Sequence, residues 1–308
     1  MKRRDIMQLI GTFLLGAGTS RAGAGEAASP SKKPEEYGCL IDATLCVGCR
    51  ECEKACNRVN DLPPLATEFS NRSSIEDERR PDAEHFTVVN RYSGSPSPAQ
   101  KEREETFIKV QCMHCLTPSC VSACIVGALK KSPQGAVVYD ADRCIGCRYC
   151  MVACPFQIPA YEFNDPITPR VRKCNFCFER LSEGEKPACA EACPREAIVF
   201  GKRSDLIELA RKKIQEKPGR YLDHIYGEKE AGGTSWLYLT GRPAEDLGLP
   251  KLDEKAPSEL TESIQHGIFK YGLPPLALYG ALGGIMWWTN RTNHIEGKDD
   301  HESLEEQE

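Results

Sequence analysis

Sixteen of the chain's 17 cysteines fall into four groups of four, and that grouping limits the fold more than any other feature. The groups are Cys46, Cys49, Cys52 and Cys56; Cys112, Cys115, Cys120 and Cys124; Cys144, Cys147, Cys150 and Cys154; and Cys174, Cys177, Cys189 and Cys193. The first and third read C-x2-C-x2-C-x3-C. The second widens the middle gap to four residues and the fourth to eleven, yet each keeps an opening C-x2-C and a closing C-x3-C. Such a chain is a fourfold internal repeat in which a loop of variable length interrupts a fixed grip.

The two ends set the context for these thiols. Residues 1–24, "MKRRDIMQLIGTFLLGAGTSRAGA", have a basic start, a short apolar stretch and small residues at a cleavage point, the layout of a signal peptide. Arg3 and Arg4 with Ile6 and Met7 make it twin-arginine-like, against the plainer reading of an ordinary signal or a basic tail. Near the other end, 268–289 is apolar apart from Lys270 and carries Tyr271, Trp287 and Trp288 as interfacial aromatics and Gly280 and Gly284 as a small-residue step. It predicts a transmembrane helix, with a buried helix or docking tail as the alternative, leaving 290–308 as a polar cytoplasmic tail. The chain would then sit on the periplasmic face of a bacterial inner membrane. A net charge of −5 from 40 basic and 45 acidic residues gives no nucleic-acid footprint.

Disulfides are the default for cysteines sent to an oxidising compartment, but a disulfide framework has no reason to repeat C-x2-C-x2-C-x3-C twice. Zinc sites built from C-x2-C pairs leave the third cysteine of each group surplus, and redox-active pairs leave two. The spacing is instead that of bacterial ferredoxins, where three close thiolates hold an iron-sulfur cubane and the fourth reaches its neighbour. Four complete groups predict four 4Fe-4S clusters. Gly48 and Gly146 sit inside C-x2-C loops where backbone must approach the cluster, and Pro155 and Pro194 follow the last cysteines of two groups, where Asn57 and Ile125 stand in the other two. Arg50, Lys130, Lys131, Arg143, Arg148 and Lys173 stand where they offset cluster charge or are simply solvated. His114 reads as a spacer, since its group already has four thiolates, and Cys39 as a buried free thiol. A chain folded around its clusters before twin-arginine export would keep its thiols from oxidation.

Between the groups, "FTVV" (86–89) and "TFIKV" (106–110) predict a hairpin, and 135–140, 196–201 and "GGTSWLYLTG" further strands. "SDLIELARKKIQEKPG" predicts a helix capped by Ser204. The fold class is α+β, with 25–267 as the folded body. No G-x-G-x-x-G follows a strand, and no cysteine is left over for a nickel-iron centre.

With these cysteines, and with "EYGCLIDATLCVGC", "QCMHC", "CRYCMVACP", "YGEKEAGGT" and "LGLPKLDE", residues 37–250 resemble the four-cluster ferredoxin-like subunits of respiratory oxidoreductases. Among these, the sequence is most similar to the ferredoxin-type subunit of membrane-bound type-2 nickel-iron hydrogenases. The resemblance implies two pseudo-symmetric two-cluster modules with inserted loops and nested pairing of the groups. One cluster would take Cys46, Cys49, Cys52 and Cys193, and the next Cys174, Cys177, Cys189 and Cys56. The inner pair would take Cys112, Cys115 and Cys120 with Cys154, and Cys144, Cys147 and Cys150 with Cys124. Spacing alone leaves the pairing open, because groups two and three, and three and four, are both separated by 19 residues. The resemblance further implies a non-catalytic electron carrier between hydrogenase subunits and an integral membrane, quinone-reactive subunit. A molybdopterin partner, as in formate dehydrogenase or a sulfur-compound reductase, is the alternative. An exported disulfide- or zinc-stabilised binding protein is a more distant one.

Overall fold

The structure, a computed structural model, describes residues 36–63, 75–264 and 276–290. Strand β1 (Tyr37–Asp42) leads into the first cysteine group, whose second half lies on helix α1 (Glu51–Val59). A hairpin of β2 (Thr87–Ser93) and β3 (Glu105–Gln111), with Val88 opposite Val110, delivers the chain to the second group. Helix α2 (Ser119–Ser122) is followed by the antiparallel pair β4 (Leu129–Lys131) and β5 (Val137–Tyr139), and α3 (Tyr149–Ala153) carries part of the third group. The pair β6 (Ala160–Tyr161) and β7 (Val171–Arg172) precedes the fourth group, which spans α4 (Phe178–Ser182) and α5 (Ala188–Glu191). Strand β8 (Ile198–Lys202), helix α6 (Arg203–Glu216) and strands β9 (Ile225–Tyr226) and β10 (Trp236–Leu239) complete the order.

The largest sheet has the order β8-β1-β10-β9. In it β1 runs antiparallel to β8, with Cys39 opposite Phe200, and parallel to β10, with Cys39 opposite Trp236. Every residue of β10 is buried, as expected of a strand covered on both faces, and its sequence is accordingly an unbroken apolar run, WLYL. Helix α6 covers one face through Leu206 and Ala210, four apart and so on one side of the helix, against Leu40, Leu237 and Leu239. Burying Leu206 alone contributes about 1.5–3 kcal/mol. The opposite face presents Cys39, Ile41, Trp236 and Tyr238 to the core that holds the cysteines.

The strand pairs reveal a twofold repetition. The strand before group one (β1) pairs with the strand after group four (β8), and the strand before group three (β5) pairs with the strand after group two (β4). The helices follow the same rule, α1 packing on α5 and α2 on α3. Group one is thereby brought to group four, and group two to group three.

The α+β class, the 86–110 hairpin and the strands expected within 135–140, 196–201 and 232–241 are all present, the last as Trp236–Leu239. Two expectations are overturned. The helix after β8 starts at Arg203 behind Lys202, which makes no side-chain cap bond, and the Ser204 hydroxyl donates to the Asp205 carboxylate at 3.0 Å within the first turn. The transmembrane helix expected over 268–289 is not supported. Residues 268–275 of that stretch lie outside the described residues. Among the described residues no helix is long and apolar enough to cross a membrane. The anchored position at a membrane face falls with it. The expected signal at 1–24 and the tail beyond Asn290 lie outside the described residues.

Candidate functional site

Groups one and three are gripped by the same local device. Asp42 and Asp140 each accept the backbone N–H two residues on, from Thr44 and Asp142, both at 3.1 Å, and so fix the turn that enters the C-x2-C loop. Within the loops Gly48 and Gly146 both have φ +68°, and the helix starts follow Arg50 and Arg148 at φ +63° and +62°. A Cβ on Gly48 would lie 2.4 Å from the Phe107 ring, so this loop is closed down onto β3.

Groups two and four share a different device. Pro118 and Pro187 precede the short helices that carry Cys120 and Cys189, and neither supplies a side-chain cap. His114 and Phe176, one residue before the second cysteine of each loop, both have positive φ, +48° and +60°. Backbone N–H groups point at sulfur in all four groups: Gly48 to Cys46, Gly146 to Cys144 and Phe176 to Cys174, the last two at 3.4 Å, and Ala128 to Cys124 at 3.2 Å. Such donors favour a thiolate over a thiol.

Among the described cysteines, all are free of disulfides, Cys49 and Cys147 are exposed, and Cys39 is fully buried. Three from one group and one from its partner gather in each of four neighbourhoods. A cavity is lined by Cys46, Cys49 and Cys52 together with Cys193. Burial, followed by Cys174 and Cys189, pushes the Cys56 thiol well up. Burial does the same to Cys115, with Cys112, Cys154 and Cys120 adding to it. Cys150 is pushed up to about 11 by burial, then by Cys124, Cys144 and Cys147. Thiols that suppress one another's ionisation in this way need a multivalent cationic core before all four become thiolates. No three described His, Cys, Asp or Glu side chains close on a single metal ion.

Two buried donors without protein partners also suit a sulfur-rich group. His114 Nδ1 accepts the Val137 N–H at 2.8 Å, which places the ring proton on Nε2, and Nε2 has no partner. Trp236 Nε1 is likewise buried and without a partner. The His114 ring is held neutral by burial and by Lys173, Lys131 and Lys109.

The expected cations divide. Lys130, Arg143 and Arg148 are exposed. Arg50 is buried against Glu53 at 2.9 Å, Lys131 donates to the carbonyls of His114 and Cys115 at 3.0 and 2.9 Å, and Lys173 donates to that of Cys174 at 3.1 Å. These three brace cysteine loops. Sequence reasoning missed Lys109, which lines the same cavity as Cys46, Cys49, Cys52 and Cys193. Period-two alternation puts Lys109 on the same face of β3 as Phe107, but a strand lysine is ordinarily a solvated one.

Residues 104–203, which include groups two to four, match the family model described as a 4Fe-4S dicluster domain. The chain is 39% identical over 331 residues to the hydrogenase-2 operon protein HybA of Escherichia coli O157:H7, covering 98% of this chain and 100% of that protein. It is 32% identical over 278 residues to the nitrate-inducible formate dehydrogenase iron-sulfur subunit of Escherichia coli K12, covering 87% and 89%. The chain belongs to this family of iron-sulfur subunits. A protein of Nitratidesulfovibrio vulgaris is similar too, 42% identical over 311 residues, covering 99% of this chain and 82% of its own length. As an iron-sulfur subunit of this family, the chain is an electron-transfer protein that carries 4Fe-4S clusters, and the cysteines just described are its only donor set of that kind among the described residues.

Proposed function

We propose that the chain holds four 4Fe-4S clusters in a row, without catalysing a reaction itself, and relays electrons between a catalytic hydrogenase subunit and an integral membrane subunit that exchanges them with quinone. The clusters would be held by Cys46, Cys49, Cys52 and Cys193; by Cys174, Cys177, Cys189 and Cys56; by Cys112, Cys115, Cys120 and Cys154; and by Cys144, Cys147, Cys150 and Cys124. The packing of α1 on α5 and of α2 on α3 supports this nesting. Electrostatic influence between sets supports the order of the row: Cys52 is influenced by Cys189, Cys174 by Cys112, and Cys120 by Cys150. The exposed Cys49 and Cys147 then mark its two ends, and Ile125, Ile145, Tyr149 and Val152, all exposed, rim the second end with the apolar surface a partner covers.

The observation that carries the hydrogenase partner is the end-to-end match to HybA, 98% of one chain and 100% of the other. A molybdopterin partner is the second reading, favoured by the 32% identity to a formate dehydrogenase subunit. Arg3 and Arg4 support a twin-arginine signal at 1–24, and mass spectrometry of the mature N-terminus tests its removal. Anaerobic purification of the full chain with its native partners tests the rest. About sixteen irons per chain, with clusters reduced under hydrogen by a co-purifying hydrogenase, is the expected result. Zinc or no metal would refute the clusters, and a co-purifying molybdopterin protein would move the chain to the second reading.

A further inference from the structure

Lys109 is buried to 3% exposure, and among the described residues no carboxylate pairs with it. Its ammonium donates to Gln111 Oε1 at 2.8 Å and lies 4.3 Å over the Trp236 ring. A closed circuit holds it there: Gln111 Nε2 donates to Tyr238 Oη at 2.8 Å, and Tyr238 Oη donates to the Lys109 carbonyl at 2.8 Å. A buried ammonium with no counter-ion is costly and ordinarily sheds its proton. The negative charge that would answer it is that of a cluster held by Cys46, Cys49, Cys52 and Cys193, with which Lys109 lines one cavity.

We propose that Lys109 is a positioning charge that raises the reduction potential of the cluster gripped by Cys46, Cys49, Cys52 and Cys193. The inference rests on the ligand assignment proposed above. The step it favours is the arrival of one electron from the neighbouring cluster of the relay; no bond forms or breaks, and Lys109 keeps its proton. Negative charge added beside a fixed ammonium in a low-dielectric interior is stabilised, and the Gln111–Tyr238 circuit keeps the side chain from turning away. Arg195 lines the same cavity but is exposed, so water and salt screen it.

The test is a redox titration of the full, cluster-loaded chain followed by electron paramagnetic resonance, with the relevant signal identified as the one that Cys193→Ala abolishes. Lys109→Met should raise the oxidised-to-reduced ratio of that cluster at fixed potential about tenfold, a fall of about 59 mV for one electron. Lys109→Arg should restore the wild-type value, and Arg195→Gln should move it less than about threefold. A shift below about threefold in Lys109→Met overturns the proposal. So does loss of iron from both Lys109→Met and Lys109→Gln with retention in Lys109→Arg, which would make the lysine an assembly residue. If Cys193→Ala leaves every signal in place, the ligand assignment itself fails; an unshifted Lys109→Met beside a normal Cys193→Ala defeats only the lysine.

Discussion

The rings of His114 and Phe176 stack with centroids 4.9 Å apart, and the two residues hold the same place in their respective C-x2-C loops. The contact joins group two to group four at the boundary between the two pseudo-symmetric halves. Truncation in His114→Ala should cost about 3 kcal/mol, the range for removing a buried ring. His114→Phe keeps the stack but orphans the Val137 N–H, a penalty of about 1–3 kcal/mol. Denaturant unfolding of the loaded chain measures both. A His114→Ala cost below about 1 kcal/mol would mean that the stack does not join the halves.

Nested pairing predicts which substitutions share a phenotype. Cys56→Ala and Cys174→Ala should abolish the same cluster signal, and Cys124→Ala and Cys144→Ala another. If Cys124→Ala instead removes the signal lost in Cys112→Ala, each group closes on its own cluster and the nesting is wrong. The readout is the set of paramagnetic signals in the reduced protein, so partial loss of activity does not confuse it.

The local frame of the candidate donors was legible in the sequence because cysteine spacing is local: C-x2-C and C-x3-C report the turn and helix that present the sulfurs. The pairing was not, since equal 19-residue separations carry no information about which groups meet. What brings group one to group four is long-range strand pairing, Cys39 of β1 lying opposite Phe200 of β8. The repeated D-A-x-x-C of Asp42 and Asp140 was visible but went unread, and it is the turn that aims both loops. Lys109 was hidden for another reason: a lysine in a strand is ordinarily a solvated one, and only the burial of β3 beneath the first group makes it otherwise. The apolar composition of 268–289 suggested a membrane span, but among the described residues no helix is long and apolar enough to cross a membrane.

The two loop glycines share φ +68° but not surroundings, so they should respond unequally. A Cβ on Gly48 meets the Phe107 ring at 2.4 Å, within a packed core. A Cβ on Gly146 meets the Tyr161 hydroxyl at 2.8 Å, the far end of a side chain that can turn. Both alanine variants carry the left-handed backbone penalty of roughly 1–2 kcal/mol. Gly48→Ala should add about 1–3 kcal/mol of overpacking. Thermal unfolding of the two loaded variants checks the ordering, and equal losses would show that the Phe107 contact does not constrain the loop.

Cys39 is the one cysteine outside the groups, and its burial separates it from the ligands in a measurable way. It is 0% exposed within the central sheet, and burial, with Cys189 adding to it, pushes its thiol well above the usual range. A thiol kept protonated and enclosed is neither a nucleophile nor a ready metal ligand. Native loaded protein should therefore leave Cys39 unlabelled by iodoacetamide and label it after denaturation. Cys39→Ala removes one sulfur from a packed site and should cost about 1 kcal/mol, while iron stays at about sixteen per chain. Cys189→Ala, by contrast, should lose a whole cluster. If Cys39→Ala loses iron to the same extent, Cys39 is a ligand, and one of the sixteen grouped cysteines must be the spare.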